Sequence, residues 1–453
     1  MPGEPRPPLS RRSLWLYGLP NLSYSVAALP MALFIPSYYA DELGLPLAAV
    51  GAAIAASRVL DVLTDPLIGV LSDRVPTRFG RRKPWIVLGA PLLLLAVWML
   101  FVPAGRGAVS IPYLLGWTCL LFLGFTLVDL PYKAWGAELS DDYAERSRVA
   151  AVREGFGFAG QIGLLLVLLL LGVWGIEAAD TQLLAVAIAI VALTPPLLAA
   201  ALLGVREPPP RVATGQALGA WRSVALVVRN PAFARMIGSV LFFVSGVVIQ
   251  GTLHRVVLTH VIGAPGLFPI MIFLENVATL ACVPLWLRLS DRLGKHRAVT
   301  LAALWLALFS LPLPFLGAGD GPWLVALIVV RGSSFASILF LANSIAADVV
   351  DQDVVLSGQQ RTGLFFAVWG MVIKLSVALG VLLGTSLPAA FGFEPSATAN
   401  PESAQLALRA VYGWLPAALM TFGAPFLWNF PLTRERQEAL RAEIDAARAR
   451  AVS

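Results

Sequence analysis

Asp61 and Asp65 stand four residues apart in the stretch "RVLDVLTDPLIGVLSDR", residues 58–74. On a helix that spacing puts both carboxylates on one face, a turn apart, and Arg58, three residues before Asp61, joins the same stripe. The surrounding residues are apolar enough for a lipid bilayer, where one charged side chain costs roughly 2.5–3.5 kcal/mol even on the lenient insertion scale. Two carboxylates at short range in low dielectric both stay ionised only with a cation between them; otherwise one of them takes up a proton. The pair therefore predicts a coupling-ion site for Na+, Li+ or H+. The alternative is a buried Arg58–Asp61 ion pair with no transport role, which is expensive as scaffolding alone.

Other charges lie at the same kind of depth. Asp129 is a second intramembrane carboxylate, followed by Pro131 and, one turn on, by Lys133, which is near enough on a helix for an internal Asp129–Lys133 pair. Lys374, in "FFAVWGMVIKLSVALG", has no acidic residue within a turn, so its partner is expected on another helix. Arg331 and Glu275 read equally as pathway residues or as a structural pair, and His254-Arg255 as a contact for lipid headgroups or for an anionic substrate. The three histidines, 254, 260 and 296, do not cluster at metal-ligand spacing, and no cofactor is expected.

The elements that must position these residues follow from composition. With 58% hydrophobic and 13% charged residues over 453 positions, and a mean hydropathy of +0.78, the chain has too little polar surface for a soluble globule of its size. Twelve apolar windows are long enough to cross a bilayer: 15–38, 46–71, 84–103, 110–138, 153–174, 182–204, 234–262, 265–288, 298–317, 322–347, 363–388 and 406–429. Cys119 and Cys282 both fall inside windows, so no disulfide framework is implied. The basic start at Arg6, Arg11 and Arg12 is read as leading into a retained first helix. Basic residues follow the even-numbered spans, as at Arg81, Arg82 and Lys83 or at Lys295 and Arg297, whereas the opposite loops carry Asp41, Glu42, Glu177 and Asp180, with Arg106 as the exception. Both termini are therefore expected in the cytoplasm, and the net charge of +6 expresses this bias and not nucleic-acid binding.

An internal echo divides the chain. "LSDRVPTRFGRRK" after the second span returns about half the chain later as "LSDRLGKHR", and "WGAELSDDYAERSR" is echoed more faintly by "IAADVVDQDVVLSGQQR". The expectation is an all-α membrane protein of twelve transmembrane helices in two six-helix pseudo-repeats: an N-terminal bundle over 1–204, a linker over 205–232, a C-terminal bundle over 233–430 and a tail over 431–453. Asp73 and Arg74, with their echoes Asp291 and Arg292, are expected to close an inner gate against Glu138, Asp141, Asp348 and Asp351.

These segments carry a resemblance. "YYADELGLPLAAVG" leading into "RVLDVLTDPLIGVLSDR", with "TLVDLPYKAWGAELSDDYAERSR" and "ADVVDQDVVLSGQQRTGLFFAVWGMVIK", resembles the glycoside–pentoside–hexuronide:cation symporters of the major facilitator superfamily, the melibiose permease family, over nearly the whole chain. The resemblance implies that Thr64 and Thr126 contribute to the Asp61–Asp65 cation site or lie beside it, that Asp129 accepts substrate hydroxyls, that Arg153 contacts the sugar, and that Lys374 stands between the two sites. This sequence departs from the melibiose pattern at the sugar end: Tyr24 and Ser25 replace a Lys and a sugar-binding Asp, Lys133 replaces a Trp, and Leu339 an aromatic. A galactoside is thus disfavoured, and the charge of Lys133 suits an anionic sugar such as a hexuronide.

The expected function is cation-coupled symport of a sugar, glycoside or hexuronide by alternating access, performed by a monomer in the cytoplasmic membrane with the lipid bilayer as its surroundings. A same-fold carrier of a lysolipid or amphipathic drug is the alternative, favoured if Trp135 and Trp369 line an apolar cavity. A membrane-embedded enzyme is disfavoured, because no catalytic carboxylate motif sits on a long surface loop.

Overall fold

A computed structural model of the chain describes residues 9–74, 80–104, 107, 109–140, 143–176, 178–207, 229–357, 362–397 and 399–432. Among these the regular elements are all helices, and eleven are long and apolar enough to cross a membrane, or twelve when one bent pair is taken as a single span. The chain divides into two units, Met1–Thr214 with Glu394–Thr398, and Gly215–Phe393 with Ala399–Ser453.

The first unit opens with α1 (Arg11–Gly18), whose N-terminus is capped by the Ser10 side chain accepting from the Ser13 N–H, and continues through α2 (Ala28–Leu33). The window 15–38 reads as one helix in the sequence, yet the segments Arg11–Leu33 and Ile35–Glu42 meet at 47°. Pro20, Pro30 and Pro36 account for the break, since each lacks an N–H and its ring crowds the carbonyl four residues back. Side-chain hydroxyls add to the backbone bonding here: Ser25 donates to Asn21 O at 2.6 Å and Ser37 to Phe34 O at 3.1 Å.

The straight spans of this unit are α3 (Leu47–Arg74), α4 (Lys83–Phe101), α5 (Ile111–Glu138), α6 (Tyr143–Val173) and α7 (Ala179–Gly204). Along α3 the faces separate by helical period: Val59, Leu60, Leu63 and Leu67 are exposed, whereas Ser57, Asp61, Val62 and Ile68 are buried. The acidic stripe thus faces protein and the leucines are left for lipid. Helix α5 is the hub, packing on both α3 and α4. Its approach to α4 needs small residues, because a Cβ on Gly124 would stand 2.6 Å from the Leu93 backbone nitrogen.

The second unit comprises α8 (Pro231–Val257), α9 (Phe268–Leu293), α10 (Lys295–Ser310), α11 (Gly321–Gly332), α12 (Phe335–Ser357), α13 (Thr362–Ala390) and α14 (Glu402–Trp428). Asn230 caps α8 by accepting from the Ala232 and Phe233 N–H groups, with Pro231 in the first turn, where its missing N–H costs nothing. The core gathers Phe233, Met236, Phe243, Ile345, Trp369 and Met420. The window 322–347 falls in one span, Gly321–Val350, within which the helix is locally interrupted between α11 and α12, at Ser333 and Ser334.

Candidate functional site

Helices α3 and α5 build the cation candidate. Thr126 Oγ1 on α5 lies 2.8 Å from Asp61 Oδ1 and 3.0 Å from Asp65 Oδ1, so two carboxylates share one hydroxyl hydrogen. Asp61 and Thr126 are buried. Arg58 Nη1 stands 3.8 Å from Asp61 Oδ2, an ion pair longer than a hydrogen bond, and its guanidinium rests on the Phe122 ring at 3.7 Å. Arg58, Asp61 and Asp65 thus bring three ionisable groups together in surroundings where a buried charge is costly. Hard oxygens converging from Asp61, Asp65 and Thr126 are the donor set that an alkali cation prefers. The Thr64 hydroxyl donates to the Asp61 carbonyl oxygen at 3.1 Å, which leaves its lone pairs as its only means of joining the site.

One turn along α5, Asp129 makes a second polar centre. Its Oδ1 accepts from the Tyr24 hydroxyl at 3.0 Å and its Oδ2 pairs with Lys133 Nζ at 2.6 Å. The internal pair anticipated as the alternative for Asp129 is thus formed, although the Lys133 side chain keeps 48% of its surface exposed. Behind Asp129 lies an aromatic wall in which Tyr17 and Tyr132 stack at 4.7 Å and each hydroxyl bonds the other's backbone carbonyl. Trp135 meets Tyr17 edge-on at 5.6 Å. Gly136 is obligatory there, because a Cβ would stand 2.0 Å from the Tyr17 hydroxyl oxygen. Arg153 on α6 pairs with Glu154, feels the charge of Asp129, and offers its backbone carbonyl to Asn21 Nδ2 at 2.8 Å.

The family model described as MFS/sugar transport protein matches residues 16–434. The chain belongs to this family. It is a multi-pass membrane transporter of the major facilitator superfamily, not an enzyme. Among curated proteins it is similar to the glucuronide carrier protein homolog of Escherichia coli (strain K12), 25% identical with 96% of each chain covered. It is also similar to the sodium-dependent lysophosphatidylcholine symporter 1 of Xenopus tropicalis, 24% identical over 93% of this chain and 87% of that one. Among solved structures, a D-xylose-proton symporter has the same fold, with a TM-score of 0.69 and 14% identity over 93% of this chain and 98% of that one.

In this MFS/sugar transport protein the remaining candidates are distributed as follows. Lys374 is half-buried on α13. Asp291 and Arg292 are exposed near the end of α9. The side chains of Asp73, Arg74 and Asp351, and residue Asp141, lie outside the described residues. Glu138, read from the sequence as a gate partner, pairs with Arg81 at 2.6 Å and Arg82 at 2.8 Å. Asp348 is held likewise by Lys295 at 2.6 Å. In each unit a basic residue at or just before the start of one helix thus pairs with an acid on a later helix.

Three participants escaped the sequence reading. Tyr17 and Tyr24 reach the α5 site from far along the chain, and Glu207 accepts from the Arg81 and Arg82 N–H groups at 2.7 Å each and from Lys83 N–H at 3.2 Å, capping α4. Tyr24 was visible only as the replacement of a Lys. For Glu207, a lone acid in the basic run "VREPPPR" was the available signal.

Proposed function

We propose that this transporter couples the entry of one monovalent cation, Na+, Li+ or H+, to the uptake of a sugar, glycoside or, by preference, a hexuronide. The carrying observation is the convergence of Asp61, Asp65 and Thr126 on one point, where two carboxylates share a single hydroxyl hydrogen. Thr126 and Asp129 sit three residues apart on α5, so the helix that a bound cation steadies is the helix that presents the substrate-side carboxylate. Whatever the cation does to substrate affinity, the substrate does equally to cation affinity. Lys133, half-exposed on the same helix, is placed to exchange Asp129 for an anionic sugar carboxylate, with Arg153 as the nearby reserve of positive charge. Lys374 completes the set of substrate-side residues in this reading. Twelve spans in two six-helix repeats, both termini cytoplasmic, act by alternating access as a monomer in the inner membrane, and Asp73, Arg74, Asp291 and Arg292 serve the gate.

The lysophosphatidylcholine symporter among the relatives favours a second reading, an amphipathic lipid as cargo. That reading calls for apolar cavity walls at Trp135 and Trp369. Trp135 instead fills the aromatic cluster beside Tyr17, and Trp369 lies in the apolar core of the second unit. Purified protein in liposomes decides between them: imposed Na+ or H+ gradients are expected to drive accumulation of labelled glucuronide above that of neutral sugars, with no uptake of lysophosphatidylcholine. Ion-driven movement of the lysolipid and none of the glucuronide would establish the second reading.

A further inference from the structure

The second unit buries an ionisable cluster that the proposed coupling does not use. Four helices contribute to it: His254 from α8, Glu275 from α9, Arg331 from α11 and Tyr412 from α14. Glu275, Arg331 and Tyr412 each stand ten residues beyond the first residue of their spans, at 265, 321 and 402. That is about 15 Å along each helix, close to the middle of a bilayer. His254 and Arg331 are buried almost completely.

The contacts are loose where a structural ion pair would be tight. Arg331 Nη1 lies 3.6 Å from Glu275 Oε1, and His254 Nε2 lies 3.9 Å from Glu275 Oε2. Both exceed hydrogen-bond range, so among the described residues the carboxylate accepts no hydrogen bond. Arg331 Nε and Nη1 likewise have no hydrogen-bond partner there. By contrast His254 Nδ1 and the Tyr412 hydroxyl are 2.7 Å apart. A neutral ring that accepts the Tyr412 hydrogen at Nδ1 carries its own on Nε2, facing Glu275.

Arg331 also ends a half-helix. At the break between α11 and α12 the freed carbonyls are satisfied from neighbouring helices: Thr279 donates to Gly332 O at 2.6 Å, Trp286 Nε1 to Ser333 O at 3.0 Å and Trp305 Nε1 to Val330 O at 2.9 Å. Interrupted spans at mid-membrane are where transporters hold their ions. The local donors are spent on the backbone, and the carboxylate is left for something else.

We propose that Glu275 is a proton-binding site in its own right, taking a proton from water onto its carboxylate, with Arg331 as fixed counter-charge and His254 as the neighbour that tunes it. The reaction is the joining of one proton to one carboxylate, which changes the cluster from neutral to +1. It is independent of the Asp61–Asp65 pair and of the cargo. The ionisable groups that act on Glu275 and His254 from the packed helices are Arg331 and Tyr412. Around them, α8 also carries Arg255, which faces the Phe268 ring, α14 carries Arg409, and α13 carries Lys374. Lys295, His296 and Arg297 open α10, and Asp348 on α12 pairs with Lys295.

The test is pH-difference infrared spectroscopy of the full-length protein in liposomes. As pH falls, wild type is expected to gain a carboxylic C=O band that carbon-13-labelled glutamate shifts. The band should be missing in Glu275→Gln, retained in the Asp61→Asn/Asp65→Asn double variant, and moved in midpoint by about one pH unit, tenfold in proton affinity, in His254→Gln. A band unaltered in Glu275→Gln overturns the proposal. Should that variant fail to fold, a wild-type band that ignores the glutamate label, or a midpoint unmoved in His254→Gln, overturns it equally.

Discussion

The smallest unit of the proposed coupling site is one hydroxyl between two carboxylates. Thr126 supplies a single hydrogen to Asp61 and Asp65, and a hydrogen bond to a charged group is worth roughly 1.5–3 kcal/mol. Thr126→Val should therefore raise the cation concentration for half-maximal uptake about tenfold, at unchanged expression, and Thr126→Ser should restore it; a Val variant with wild-type ion dependence would remove Thr126 from the site. At Asp129 the prediction separates the two ligands: Asp129→Ala should weaken glucuronide binding at least tenfold while cation binding stays measurable by calorimetry. The carboxylates were legible in the sequence because charges within apolar runs need a reason. The contacts that surround them were not, since Tyr24 lies 105 positions from Asp129 in the chain and its role depends on how a bent helix folds back.

At the scale of elements, the bend in the first span and the local interruption at Ser333 and Ser334 within Gly321–Val350 went unread, because hydropathy registers length and composition only. For the first span, three prolines were the available clue. For α11 and α12 there was only Gly332-Ser333-Ser334, and the polar groups that make the break tolerable come from other helices. Thr279→Val should accordingly destabilise the second unit by about 1 kcal/mol through the orphaned Gly332 carbonyl, seen as a lowered thermal midpoint in detergent. Glu207 is the corresponding device in the first unit. Glu207→Ala leaves the N–H groups of Arg81, Arg82 and Lys83 without their acceptor and should cost about 1–2 kcal/mol by the same measurement, Glu207→Gln less. Equal stability of the Ala variant and wild type would mean that water replaces the carboxylate without penalty.

For the whole molecule, composition was enough to indicate a polytopic membrane protein, and the repeated "LSDR" loops suggested where it divides and that it is a transporter. The central claim is that the first unit binds a single coupling cation between Asp61 and Asp65 and that this ion is what drives the cargo. Calorimetric titration of purified protein tests it most directly, with Na+ and Li+ at alkaline pH and with proton uptake followed in unbuffered solution. Wild type and Asp129→Ala should each take up one cation per chain at this site, and Asp61→Asn and Asp65→Asn should take up none. Wild-type cation binding in both Asn variants would contradict the account.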